Sequence, residues 1–75
     1  MPKLRRVSGT EAISTLKKLG FKQVRQHGSH VVFKKTTSTS KLGCVVPLHK
    51  VLAIGTLRGI LRQAKVEPDE FLENL

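Results

Sequence analysis

Two amphipathic helical patterns enclose three short β-rich segments, and this order constrains the fold more than any single motif. Apolar residues recur at helical spacing from about Gly9 to Leu19, and again in a segment for which Gly55 or Thr56 can be the N-cap. A chain of 75 residues has room for a single core. Both helices are therefore predicted to cover the same face of one sheet, which leaves the other face open.

The first helix has recognisable signals at both ends. Ser8 and Glu11 have the spacing of a capping box, in which each side chain bonds the backbone N–H of the other residue. Gly20 suits the left-handed conformation that ends many helices, and Phe21 can then pack back against the last turn. These signals predict a helix over residues 9–19.

Three segments between the helices are typical of short β-strands. The predicted strands are Phe21 to His27, His30 to Lys35 and Leu42 to Pro47, and the second of these is rich in β-branched and aromatic residues. Gly28-Ser29 forms the first turn, and residues 36–41 form a polar hairpin loop. Because the strands are short and sequential, they are predicted to pair as an antiparallel meander.

The complete pattern predicts an α+β fold in the order αβββα. Pro68 suits the first position of a short third helix, whose first turn is acidic. The predicted architecture is a three-stranded antiparallel sheet with two helices packed on one face and a short extra C-terminal helix. Residues 1–75 are predicted to form one domain.

The charge of the chain is strongly asymmetric. There are 14 Lys and Arg residues against 5 Asp and Glu, which gives a formal net charge of +9. All of the basic residues lie within residues 1–66, where Glu11 is the only carboxylate. Such a surface indicates a polyanionic partner, either nucleic acid, an anionic membrane or an acidic protein.

Several classes of protein are disfavoured by the sequence. No apolar run follows the basic start MPKLRR as in a secretory signal, and the longest apolar run, Val51 to Ile54, is too short to span a bilayer. The lone Cys44 cannot form an internal disulfide, which is typical of a reducing cytoplasm. We therefore expect a cytoplasmic protein that does not act in a membrane.

The sequence also limits the chemistry of a functional site. Phosphate-binding glycine motifs, paired carboxylates in the basic part and the usual zinc-ligand spacings are all absent from the sequence. The only aromatic residues are three phenylalanines, which are expected in the core, so a base-stacking platform is disfavoured. Recognition of a nucleic-acid backbone by lysine and arginine is the better match.

His30 directly follows the Gly28-Ser29 turn and has two interpretations. It is either an exposed residue at the start of a strand, which is the commoner case, or a group that transfers protons. Cleavage of RNA needs a base for the 2′-hydroxyl proton, an acid for the departing 5′-oxygen and cations near the phosphate. Histidine titrates near neutrality and suits either proton-transfer role, without a metal or other cofactor.

The ordered motifs Gly28-Ser29-His30, residues 45–49 (VVPLH) and residues 55–64 (GTLRGILRQA) resemble the HicA-like mRNA interferase family. The resemblance covers residues 8–72. It implies a double-stranded-RNA-binding-like fold and a toxin that cleaves mRNA and is inhibited by a HicB-like antitoxin. It also implies that His30 is the catalytic histidine, held by the turn at Gly28 and Ser29.

One segment departs from the family pattern. Between the PxH and GTL motifs the family is usually polar and charged, whereas this chain has the apolar run Val51 to Ile54. Two interpretations stay open for this run: a surface that binds a partner, or additional core.

Basic residues elsewhere are predicted to contact the RNA backbone. Lys34, Lys35 and Lys41 flank the polar hairpin loop and together can hold phosphates. Arg58 and Arg62 lie one helical turn apart and form either a phosphate-binding edge or a contact for an acidic antitoxin.

The other two histidines have separate interpretations. His49 belongs to the PxH motif, and either it has a direct RNA-binding or catalytic role or its ring fixes the loop after the third strand. His27 is interpreted as a solvated strand end. Two rival functions also stay open, a double-stranded-RNA-binding module without catalysis and a basic domain that binds an acidic protein.

Overall fold

The computed structural model describes residues 4–75, and its secondary structure has the predicted αβββα order with a short terminal helix. The elements are α1 (Gly9–Lys18), β1 (Lys22–His27), β2 (His30–Thr36), β3 (Lys41–Pro47), α2 (Ile54–Ala64) and α3 (Pro68–Glu73). The predicted α+β fold class is confirmed. Among residues 4–75, no helix is long and apolar enough to cross a membrane.

The three strands form one antiparallel sheet in the order β1-β2-β3. Val31 and Phe33 are buried, so alternate residues of β2, beginning with His30, lie on the opposite face. The register is regular between β2 and β3, whereas β1 has one irregularity between Gln23 and Arg25. This β-bulge makes Val24 an extra residue in the strand.

One hydrophobic core lies between the helices and the buried face of the sheet. Leu16 of α1, Leu57 of α2 and Phe33 of β2 are each 0% exposed and belong to the same cluster. Both helices therefore contribute to a single layer, as predicted. We call the other face of the sheet the open face, and Val45 is exposed on it. Every residue of β1 is also exposed.

Local capping explains the bounds of α1. The Ser8 hydroxyl accepts a hydrogen bond from the Glu11 N–H (2.9 Å), and the Glu11 carboxylate accepts one from the Ser8 N–H (3.0 Å). At the other end Gly20 has a φ of 98°, and the Phe21 N–H donates to the Leu16 carbonyl at 3.0 Å. Both predicted end signals are confirmed, and the helix proper ends at Lys18.

The predicted start of the second helix is wrong by two or three residues. Ala53 is the N-cap, without a side-chain hydrogen bond, and α2 begins at Ile54 instead of after a Gly55 or Thr56 cap. The reason is a contact distant in the chain: the Leu52 N–H donates to the Val7 carbonyl (2.7 Å) and Leu52 is 0% exposed. Because Leu52 is held by this contact, the helix can begin two residues later, at Ile54.

The apolar run before α2 divides between core and surface. Leu52 is core, whereas Val51 is 57% exposed and Ile54 is 36% exposed. The run is therefore neither entirely additional core nor entirely surface.

Candidate active site

His30 is the first residue of β2 and follows a turn that is fixed from both sides. Gly28 has a φ of 56°, which suits glycine at the first central position of a two-residue hairpin turn. The Gln26 side-chain amide donates to the Gly28 carbonyl (3.0 Å), and the Leu48 N–H donates to the Ser29 carbonyl (2.6 Å). The turn that carries His30 is thus held by β1 on one side and by the end of β3 on the other.

A second histidine lies directly across the turn. His27 pairs with His30 in the β1–β2 register, and both residues are exposed. Directly opposed residues of an antiparallel pair share a face and have Cβ atoms about 4.5–5.5 Å apart. His27 is exposed, as expected of a solvated strand end. Its position directly opposite His30 was not predicted. The signal was in the sequence: two residues of turn separate the two histidines.

The third histidine lies in a segment that packs against the start of α1. The His49 carbonyl accepts a hydrogen bond from the Gly9 N–H (2.8 Å). A Cβ atom at Gly9 would overlap the Pro47 carbonyl oxygen and lie 3.2 Å from the His49 nitrogen. The His49 backbone therefore fixes this loop, while its side chain is exposed at the same end of the sheet as His30.

Metal chemistry gains no support from this arrangement. Within residues 4–75, no group of three His, Cys, Asp or Glu side chains is placed to hold a metal ion. Burial raises the pKa of the Cys44 thiol from 9.0 to about 11, so this thiol is protonated at neutral pH and is a poor nucleophile. The exposed histidines are the groups suited to proton transfer.

Lys34 lies on the open face of the sheet together with the histidine pair. It lines a groove of about 270 Å³ with Val24, Arg25, His27 and Val32. Its cross-strand neighbours on that face are Lys22 and Gly43. The sequence did not single out Arg25 or Lys22, because their alignment beside Lys34 depends on strand register.

Lys41 and Lys35 occupy different positions from Lys34. Lys41 pairs with Thr36 at the end of the sheet opposite to His30. The Lys35 ammonium donates to the Leu19 carbonyl (2.7 Å) and lies 5.7 Å from the centroid of the Phe21 ring. Lys35 thus stabilises the carboxyl end of α1, in addition to its predicted contact with RNA.

Arg58 and Arg62 are not brought together with His30. Both are exposed on α2 and line a pocket of about 280 Å³ near Glu67 and Pro68. Because α2 packs on the buried face of the sheet, these arginines lie on a different side of the molecule from the open face. Their predicted contact with phosphates or with an antitoxin is separate from the histidine pair.

The basic and acidic side chains lie in different parts of the structure. The three strands contain five Lys and Arg residues and no carboxylate. The Glu11 carboxylate caps the start of α1 by accepting a hydrogen bond from the Ser8 N–H, and the remaining four carboxylates lie within or just before α3. The open face therefore has a positive potential next to His30, without a negative side chain in any strand.

Comparison with known proteins adds an independent observation. A family profile described as HicA toxin of bacterial toxin-antitoxin matches residues 9–66, which include the turn before His30, the PxH segment and α2. Comparisons with curated proteins and with solved structures give no match. Since the profile spans most of the chain, the protein belongs to the HicA toxin family of bacterial toxin–antitoxin systems.

Proposed function

We propose that this toxin is a metal-independent endoribonuclease that cleaves mRNA in the cytoplasm and is inhibited by a HicB-like antitoxin. The observation that carries the proposal is His30, exposed on a braced turn, opposite a second histidine and beside a positive sheet face. Membership of the family supports a toxin with an antitoxin partner. The chemistry of the site supports RNA as its target.

The proposed reaction uses the nucleophile that RNA itself carries. A base removes the 2′-hydroxyl proton, the 2′-oxygen forms a bond to the adjacent phosphorus, and the bond from phosphorus to the 5′-oxygen breaks. An acid donates a proton to the departing 5′-oxygen. The products are a 2′,3′-cyclic phosphate and a 5′-hydroxyl, so no water or metal enters this step.

Two groups must exchange protons with the substrate, and the β1–β2 register brings two histidines together. His30 performs one transfer and His27 performs the other, because the two residues are direct cross-strand neighbours on the open face. The base of such a reaction must start without its proton and the acid must start with one. Lys34 and the other cations of the open face stabilise the additional charge on the phosphate.

The test compares wild-type protein, purified without antitoxin, with its His30→Ala variant on a long single-stranded RNA in EDTA. We expect the wild type to cleave and the variant to be slower by about 10²–10⁴-fold, the usual contribution of a general acid or base. Mass analysis of the fragments should find 2′,3′-cyclic phosphate and 5′-hydroxyl ends.

Two outcomes contradict this proposal. Equal cleavage by both proteins removes His30 from the mechanism, and 5′-phosphate ends exclude attack by the 2′-hydroxyl. Binding of RNA without cleavage by the wild type would favour the double-stranded-RNA-binding module instead.

A further inference from the structure

Two adjacent grooves on the sheet share the residues Val24 and Lys34. The first has a volume of about 270 Å³ and also contains Arg25, His27 and Val32. The second has a volume of about 330 Å³, and its lining is Gly20, Lys22, Val24, Lys34, Lys35 and Thr36. We call these two neighbouring grooves together the sheet channel, which includes His27 of the histidine pair and follows β1 and β2.

The β-bulge places an apolar side chain at the junction of the two grooves. Val24 is the extra residue of the bulge and is 53% exposed. Val32, which is half-buried, lies beside it in the first groove. The floor of the sheet channel is therefore apolar at its centre, with cations on both sides.

The cations of the sheet channel repel one another in the free protein. Lys22 and Lys34 are directly opposed across β1 and β2, an arrangement that destabilises a sheet. On the other side Lys34 faces Gly43, which has no side chain to offset its charge. Neither groove has a carboxylate in its lining. An anion placed between these ammonium groups would remove the repulsion.

A single-stranded polynucleotide has the chemistry that this surface requires. Its phosphates match cations along the channel, and its unpaired bases can cover the exposed valines. A duplex buries its bases in pairs and presents chiefly phosphates and sugars. An acidic protein would satisfy the cations as well, but the channel includes His27, the cross-strand neighbour of His30, where a phosphodiester is the proposed substrate.

We infer that the sheet channel binds one unpaired RNA strand and leads its backbone to His30. This inference rests on the proposed ribonuclease function and specifies the substrate conformation and the face that binds it. It also assigns the main RNA contacts to Arg25 and Lys34 on the open face, and not to the arginines of α2.

The test measures RNA affinity separately from cleavage, by using the His30→Ala protein throughout. The channel variant is Arg25→Gln/Lys34→Gln, and its matched control is Lys17→Gln/Lys65→Gln, which removes two exposed cations from the helical side of the molecule. The probe is a short fluorescent oligouridylate, titrated by anisotropy at several salt concentrations, with a duplex RNA of equal length beside it.

We expect the channel variant to lower the slope of log affinity against log salt by about 1.4, since each phosphate contact contributes about 0.7 for a single strand. The control should keep the slope, and the oligouridylate should bind more tightly than the duplex. Lys34→Arg, which keeps the charge, should restore the affinity that Lys34→Gln loses, and this rescue excludes misfolding as the cause.

The possible failures are distinguishable. An equal loss in the channel variant and its control, or tighter binding of the duplex, overturns the inference. So does unchanged RNA affinity in the channel variant when the wild type cleaves RNA, and in that case the proposed function survives. If the wild type does not cleave but the channel variant alone loses oligouridylate affinity, the sheet channel is supported and the ribonuclease proposal fails.

Discussion

At the scale of single residues, the histidine pair defines what the site can do. His27 and His30 are separated by a two-residue turn and meet across the strand pair. One imidazole can accept a proton while its neighbour donates one, which is the arrangement that a two-step transfer to and from a phosphodiester requires. His49 is tied to the structure through its backbone carbonyl instead.

This difference predicts distinct pH profiles for two histidine variants. His27→Ala should lower the cleavage rate by about 10²–10⁴-fold and remove one limb of the bell-shaped profile expected of the wild type. His49→Ala serves as the matched control and should keep both limbs, since the loop bond uses its main chain. The measurement is the cleavage rate across the pH range for each protein. Loss of a limb in His49→Ala with retention in His27→Ala would reverse the assignment.

The buried thiol of Cys44 is expected to make the stability of the protein depend on pH. Burial disfavours the thiolate and raises its pKa in the folded state to about 11, from the ordinary thiol value of 9.0. Between these values the unfolded state binds fewer protons than the native state, so the stability conferred by the protonated thiol falls as the pH rises.

The free energy of unfolding of the wild type should therefore decline relative to Cys44→Ala as the pH rises from about 8 to about 10.5. Urea titrations of both proteins at each pH measure this difference. A difference that stays constant over the whole range would show that the thiol ionises equally in both states.

At the scale of elements, two glycines in helices have opposite surroundings. A Cβ at Gly9 would lie 3.0 Å from the Leu48 Cα and would overlap the Pro47 carbonyl, and both obstacles are backbone. Gly59 in α2 has open space around the corresponding position. We expect Gly9→Ala to destabilise by about 1–3 kcal/mol through overpacking. Gly59→Ala should stabilise by about 0.5–1 kcal/mol through helix propensity.

Thermal unfolding of both variants measures this contrast. Gly9→Ala should also slow RNA cleavage, because it displaces the segment that holds the Ser29 carbonyl through Leu48. Equal stability changes for the two substitutions would show that the segment is not packed against α1 as described.

The elements also show which features a sequence can reveal. The ends of α1 were predicted to within one residue, since the end signals at Ser8, Glu11, Gly20 and Phe21 act over only a few residues of the chain. The start of α2 was predicted wrongly, because it depends on the pairing of Leu52 with Val7, which is far away in the chain. The alignment of Lys22 with Lys34 likewise requires a strand register and a bulge that local propensity does not encode, whereas the pairing of His27 with His30 follows from the two-residue turn between them.

At the scale of the whole molecule, charge is distributed by layer. The sheet is purely basic among its ionised groups, whereas the carboxylates lie at the start of α1 and around α3. The net charge of +9 on a small domain costs stability through self-repulsion, while it attracts a polyanion.

Salt should therefore act on the two properties in opposite directions. Adding sodium chloride screens the repulsion, so the unfolding temperature should rise, while RNA cleavage at subsaturating substrate should fall because phosphate contacts weaken. Thermal scans and initial rates over the same salt series check this. If the unfolding temperature and the cleavage rate both decline, salt destabilises the protein as well as screening its charges.

The contacts that brace the turn before His30 join distant parts of the chain. Residues 7–9 meet residues 49–52 through the Leu52–Val7 and Gly9–His49 hydrogen bonds, and the Leu48 N–H in turn holds the Ser29 carbonyl. A chain emerging from the ribosome cannot close these contacts until residue 52 is exposed, so the residues of α1 and of the β1–β2 hairpin emerge before the turn can be braced. If the proposed ribonuclease function is correct, the toxin therefore becomes active only after most of its chain has been synthesised.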